Sequence, residues 1–236
     1  MVDRLRGAGL PLLAALVALA ASLWVFGLIA DDIVEKEMGA DQRLANWLHG
    51  RATDPLTDLF HGITFLGNFV TLLAVTVLAV TILWRRRERT DAVFVGLAFA
   101  GAQVLSSGMK LGFRRDRPFF PDPLATESTF SFPSGHAMVS LAVYGAIALV
   151  LARRLSTNGR RALLVGVVVV LVFAIGFSRL YLGVHFLSDV LAGYAAGIAW
   201  VSLLYVALEA RSRWWDAKPR GIAPRQSSRP RKRSAQ

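Results

Sequence analysis

No cysteine occurs among the 236 residues, which excludes a disulfide framework, a thiolate metal site and a cysteine nucleophile together. Also missing are the GxxxxGKS or GxxxxGKT phosphate loop, the HExxH zinc helix and the GxGxxG dinucleotide fingerprint, so nucleotide and zinc chemistry lose their usual sequence basis. Acidic residues are scarce, 16 against 27 Lys and Arg, for a formal net charge of +11. Only 18% of residues are charged, whereas 54% are hydrophobic and the mean hydropathy is +0.47. That balance is too apolar for an ordinary soluble domain of this size, and a membrane protein is the class to test first.

A helix crosses a hydrocarbon core of about 30 Å with roughly 20 apolar residues. Six runs qualify, at 10–30, 62–84, 92–109, 135–151, 162–177 and 186–208; the second starts somewhere between Leu56 and Phe69. Arg4 and Arg6 before the first run also fit a signal peptide, but its apolar stretch exceeds the usual length of about 7 to 15 residues, so retention is expected. The sequence therefore predicts an all-α, six-transmembrane bundle over residues 1–210, followed by a basic tail at 211–236.

Lys and Arg gather on the cytoplasmic side of short loops. Arg4 and Arg6, then Arg85, Arg86, Arg87 and Arg89, then Arg153, Arg154, Arg160 and Arg161 alternate correctly with the runs. Both termini are thus expected in the cytoplasm, with the acidic loop holding Asp31, Asp32, Glu35 and Glu37 outside. Lys110, Arg114, Arg115 and Arg117 break the pattern by following the third run, on the exterior side. Snorkelling to lipid headgroups accounts for Arg114 or Arg115 as well as any function does.

Three short motifs fall at the exterior ends of runs three to six. In the first, KLGFRRDRP, Lys110 and Arg117 are about two helical turns apart and would share a face if the helix persisted to Pro118, which disfavours helical geometry at Arg117. The second is Pro133, Ser134, Gly135 and His136, where the fourth run begins. A helix start offers free N–H groups and a positive dipole end, and a glycine lets an anion approach; an isolated motif of this kind reads more readily as plain capping with an interfacial histidine. In the third, Ser178 and Arg179 precede His185 and Asp189. An i, i+4 spacing on a helix lets the carboxylate bond one ring nitrogen and leave the other free to react. Singly, Asp189 could serve the helix dipole and Arg179 could snorkel. Ionisable groups near membrane depth are costly and kept for function, and three cations converging with two histidines and an aspartate suit a phosphate group.

These residues resemble the three-part pattern of the phosphatidic acid phosphatase type 2 superfamily, which includes vanadium haloperoxidases: KxxxxxxRP, PSGH and SRxxxxxHxxxD, matched at every specified position over about residues 110–193. The resemblance implies that His185 attacks phosphorus to form a phosphohistidine, with Asp189 orienting it. His136 would protonate the leaving oxygen and then activate water. Lys110, Arg117, Ser134, Gly135 and Arg179 would hold the phosphate oxygens, with no metal and no cofactor. The implied substrates are membrane lipid phosphates or diphosphates, of the phosphatidic acid, phosphatidylglycerol phosphate or polyprenyl diphosphate class. A bacterial plasma membrane with the site facing outside is the expected setting. A lipid phosphotransferase of the same family is the alternative, with an anion transporter further off because the charges collect at one rim.

Residues 40–61 mix Trp47, Leu48, Leu56, Leu59 and Phe60 with polar residues, which predicts amphipathic or interfacial helix; His49 and His61 read as surface histidines without a role. The tail, rich in Arg, Pro and Ser, is expected to be disordered. Its expected partner is anionic lipid, which contributes about 1 kcal/mol per basic residue, rather than nucleic acid.

Overall fold

The computed structural model describes residues 2–34 and 39–217, with side chains for 10–33 and 39–210. Eight helices follow in chain order: α1 (Val2–Val34), α2 (Gly39–His49), α3 (Asp54–Phe65), α4 (Phe69–Arg85), α5 (Arg89–Phe113), α6 (Gly135–Ala152), α7 (Asn158–Tyr181) and α8 (Leu187–Ala217). Six stretches are long and apolar enough to cross a membrane: Leu10–Ile33, Asp54–Arg85, Arg89–Phe113, Gly135–Ala152, Asn158–Tyr181 and Leu187–Ala210. No strand is present among the described residues.

The uncertain start of the second run has a structural cause. It is two helices, α3 and α4, interrupted at residues 66–68. Asn68 restarts the chain by accepting the Thr71 N–H at 2.8 Å, and Pro55 stands in the first turn of α3, where its missing N–H costs nothing. The amphipathic stretch resolves into α2, which precedes the second run, and most of α3, which is the first part of that run. At the other end of the chain, α8 continues to Ala217, into the segment expected to be disordered; residues 218–236 of that tail lie outside the described residues.

Helix α6 is the centre of the bundle, packed against α5, α7 and α8, while α1 lies along α8. Small residues let it sit there. Ala98 and Ala102 of α5 and Ala137, Ala142 and Ala146 of α6 are fully buried. Gly193 and Gly197 bring α8 so close that a Cβ would stand 2.7 Å from the Ser134 carbonyl oxygen and 2.9 Å from that of Met138. This small-xxx-small spacing, a packing device of membrane helices, fixes the start of α6 against the start of α8. At the opposite end Arg153 and Arg154 pair with Asp91 and Glu88. That end carries the clusters expected in the cytoplasm.

Candidate active site

The three motifs converge at one end of the bundle. Lys110 comes from the last turn of α5, Ser134 caps α6, Arg179 ends α7, and Asp189 lies in the first turn of α8. Arg117 does not share a helical face with Lys110. Helix α5 stops at Phe113 because Arg114 turns left-handed (φ 49°) and returns its N–H to the Lys110 carbonyl at 3.0 Å. The restriction imposed by Pro118 acts too late to set the boundary. Arg117 instead reaches the site from the connecting loop.

His185 likewise precedes α8 rather than lying on it, yet keeps its carboxylate partner. Asp189 caps the helix by accepting the Phe186 N–H at 2.8 Å, and the same oxygen faces His185 Nδ1 at 3.4 Å. The other ring nitrogen, Nε2, lies 3.3 Å from Arg117 Nη1. A guanidinium can only donate, so Nε2 presents its lone pair and the proton resides on Nδ1, towards Asp189. Burial pulls His185 from the usual 6.5 to about 3, with Asp189 opposing the shift. The imidazole is therefore neutral at physiological pH.

The cations are held from several sides. Arg117 donates to Val184 O at 2.5 Å and to Thr129 O at 2.6 Å. Burial lowers its proton affinity, with the Glu127 carboxylate the largest opposing influence. Lys110 Nζ donates to Phe130 O. Arg179, 3% exposed, donates to Thr64 Oγ1 at 2.8 Å and to Glu127, while its Nε has no partner. A buried guanidinium with an orphaned N–H and a carboxylate against its tip is a place already suited to an anion. Beside it, a cavity of about 570 Å³ is lined by Lys110, Arg115, Asp116, Arg117, Glu127 and Phe130, among others.

The start of α6 supplies the third wall. Ser134 Oγ accepts the Ala137 N–H at 3.5 Å, and its own N–H donates to the Asp189 carbonyl at 2.9 Å, joining the two helix starts. At Gly135 a Cβ would meet Ser106 Oγ at 3.1 Å and Lys110 Cε at 3.9 Å. His136 packs under the α3–α4 break, where a Cβ on Gly67 would lie 3.2 Å from its ring and 2.4 Å from Ile175. The charged groups and ring facing His136 are Arg179, His185, Lys110 and Arg117.

Four residues enter this region that sequence reasoning missed or misread. Arg115 is not a snorkelling residue; it is buried, and its Nη1 bonds Asp189 Oδ1 at 2.5 Å. Glu127 has no motif around it, and only its contact with Arg179 reveals it. His61 is exposed, as expected of a surface histidine, and His49 is partly buried; the sequence did not show that both hold the connecting loop. His49 stacks on Phe120 (ring centroids 3.9 Å apart) and bonds Asp122 at 3.0 Å, while His61 bonds Leu124 O at 3.1 Å, so both pin the loop that carries Arg117 and Glu127. The hydrogen bond from His49 holds the Asp122 carboxyl below its usual range.

The chain is similar to known membrane phosphatases in sequence and in fold. The phosphatidylglycerophosphatase B of Bacillus subtilis is 37% identical over 144 residues, covering 61% of this chain and 70% of that relative. The undecaprenyl-diphosphatase of Sulfolobus acidocaldarius is 33% identical over 129 residues, 52% of this chain and 58% of its own length. The crystal structure of the transmembrane PAP2 type phosphatidylglycerolphosphate phosphatase of Bacillus subtilis superposes with a TM-score of 0.74 at 29% identity, over 86% of this chain and 98% of that one. The family model of the PAP2 superfamily spans residues 91–213, from α5 through α8. With all three motif segments inside that span and six membrane-length helices around them, the chain belongs to the PAP2 superfamily as an integral membrane protein.

Proposed function

We propose that this chain removes phosphate from membrane lipid monophosphates or diphosphates through a phosphohistidine formed on His185. The observation that carries the reading is the placement of the two ring nitrogens, Nδ1 3.4 Å from Asp189 Oδ2 and Nε2 3.3 Å from Arg117 Nη1; with the proton on Nδ1, a phosphate taken up by the guanidinium meets the Nε2 lone pair. Nε2 attacks phosphorus, the ester or anhydride P–O bond breaks, and His136 gives the departing oxygen its proton. Asp189 stabilises the positive charge acquired by the ring. His136, now a base, takes a proton from water as that water attacks phosphorus, the P–N bond breaks, and inorganic phosphate leaves.

Lys110, Arg117 and Arg179, with the helix start at Ser134 and Gly135, would bind the three peripheral oxygens throughout. The distribution of basic residues supports an outward-facing site with both termini in the cytoplasm. Relatives named for phosphatidylglycerophosphate, undecaprenyl diphosphate and lipid A substrates support a lipid carrier for the phosphate.

The test is phosphate release from phosphatidic acid, phosphatidylglycerol phosphate and a polyprenyl diphosphate by purified protein, with and without chelator. The expected outcome is turnover of at least one lipid, unchanged by chelator and abolished in His185→Ala. Removing one preorganised donor costs about 10²–10³ in kcat, so Arg179→Ala is expected to lose that much while eluting as a folded protein. Turnover at the wild-type rate in either variant would defeat the reading.

A further inference from the structure

We propose that Asp41 of α2 and Arg115 are positioning residues for the nucleophile, a buried ionic tether that holds the Asp189 carboxylate in line with His185. This rests on His185 being the nucleophile. The geometry is a chain of charges. Arg115 presents Nη1 to Asp189 Oδ1 at 2.5 Å and Nη2 to Asp41 Oδ2 at 2.8 Å. Asp41 turns its other oxygen to the Ser188 N–H at 3.1 Å, and the Ser188 hydroxyl bonds both Asp41 and, at 2.8 Å, Arg115. The guanidinium also lies over the Phe186 ring, 4.4 Å from its centroid.

The side chains of Arg115 and Asp189 are 5% and 0% exposed, so their charges depend on protein partners, and Asp41, at 13%, closes the chain towards the surface. A buried guanidinium held by two carboxylates cannot rotate without leaving one of them uncompensated. Asp189 is consequently clamped on both oxygens: Arg115 takes Oδ1, while Ser131 and the Phe186 N–H take Oδ2, the oxygen that faces His185. Asp41 carries a second burden. It offsets the Arg115 charge that would otherwise be felt undivided by Asp189, and so leaves that carboxylate its attraction for the imidazolium formed during turnover.

Asp41 lies outside the family-matched residues 91–213, on a short amphipathic helix that carries none of the three motifs. Arg115 borders the cavity beside Arg117, but its Nη1 is engaged by Asp189 and Ser188 and its Nη2 by Asp41, so neither tether residue is assigned a phosphate oxygen. Their loss should lower kcat and leave KM almost alone, because binding is by Lys110, Arg117 and Arg179.

The experiment measures lipid phosphate hydrolysis by the full chain carrying Asp41→Asn, Arg115→Lys, both together, Ser188→Ala and, alongside, His185→Ala. Partners that orient an active group are commonly worth about 10- to 100-fold in activity. Asp41→Asn is expected to lose that much in kcat with KM within about twofold, and Asp41→Glu to recover part of it. The double variant is expected to be no worse than its poorer single parent, since both changes break one tether. Should Asp41→Asn fail to fold, Ser188→Ala decides, with a smaller defect of the same kind. Wild-type kcat in folded Asp41→Asn or Ser188→Ala, a defect confined to KM, or losses that multiply in the double variant would overturn the tether. An active His185→Ala would instead overturn the nucleophile itself.

Discussion

At His185 the balance of burial against a neighbouring carboxylate sets what the residue can do. Burial wins and draws the imidazole to about 3, so the folded protein keeps it neutral through the range where an exposed histidine, near 6.5, would pick up a proton. The unfolded chain then binds the extra proton between about pH 3 and 6.5, and stability from this residue falls as pH drops through that window and is flat above it. Imidazole nitrogen NMR, assigned with the His185→Ala spectrum, is expected to show His185 neutral down to pH 4; titration near 6.5 would contradict the burial argument. The residue scale is also where sequence was least informative. Arg114 and Arg115 are adjacent and identical in type, and the left-handed turn at Arg114 alone sends one outward and the other into the interior. Glu127 and Asp41 meet their partners 52 and 74 residues away, with no periodicity to announce either.

Helices α6 and α8 show how packing between elements sets catalytic distances. Gly193 lets α8 contact the backbone of the Ser134 turn, so the segment bearing His136 and the segment bearing Asp189 keep one spacing. A methyl there meets a carbonyl oxygen at 2.7 Å, which must be relieved by sliding one helix start against the other. Misplacement by about 1 Å costs as much as 10²-fold, so Gly193→Ala is expected to lose at least about tenfold in kcat. Gly145→Ala, with nothing within 4 Å of its new Cβ, serves as the control and is expected to behave as wild type; equal activity in the two would contradict the packing argument. The elements were legible wherever a long apolar run existed. The break at residues 66–68 was legible only as an indefinite start, because Gly67 and Asn68 interrupt the helix without interrupting its hydrophobicity. The joint closed by Gly193 and Gly197 was not read, since its meaning depends on which helix lies opposite.

For the molecule as a whole, one end of the bundle gathers the groups proposed to bind phosphate and the other gathers Arg153, Arg154 and their acidic partners. We propose, from the positive-inside distribution, that the first end faces outside. The absence of native cysteine makes this directly testable: in intact cells a membrane-impermeant maleimide is expected to label Ser128→Cys at the rim of the cavity and to spare Ser156→Cys between α6 and α7. The reverse pattern would turn the site to the cytoplasm. The central claim, a covalent phosphoryl group on His185, is tested most directly by rapid alkaline quenching of His136→Ala during reaction with an aryl phosphate, whose leaving group needs no proton, followed by peptide mass mapping. The expected result is one phosphoryl group on the peptide containing His185, absent when His185 is also replaced. A phosphoryl group on any other residue, or turnover that survives the His185 replacement, would contradict it.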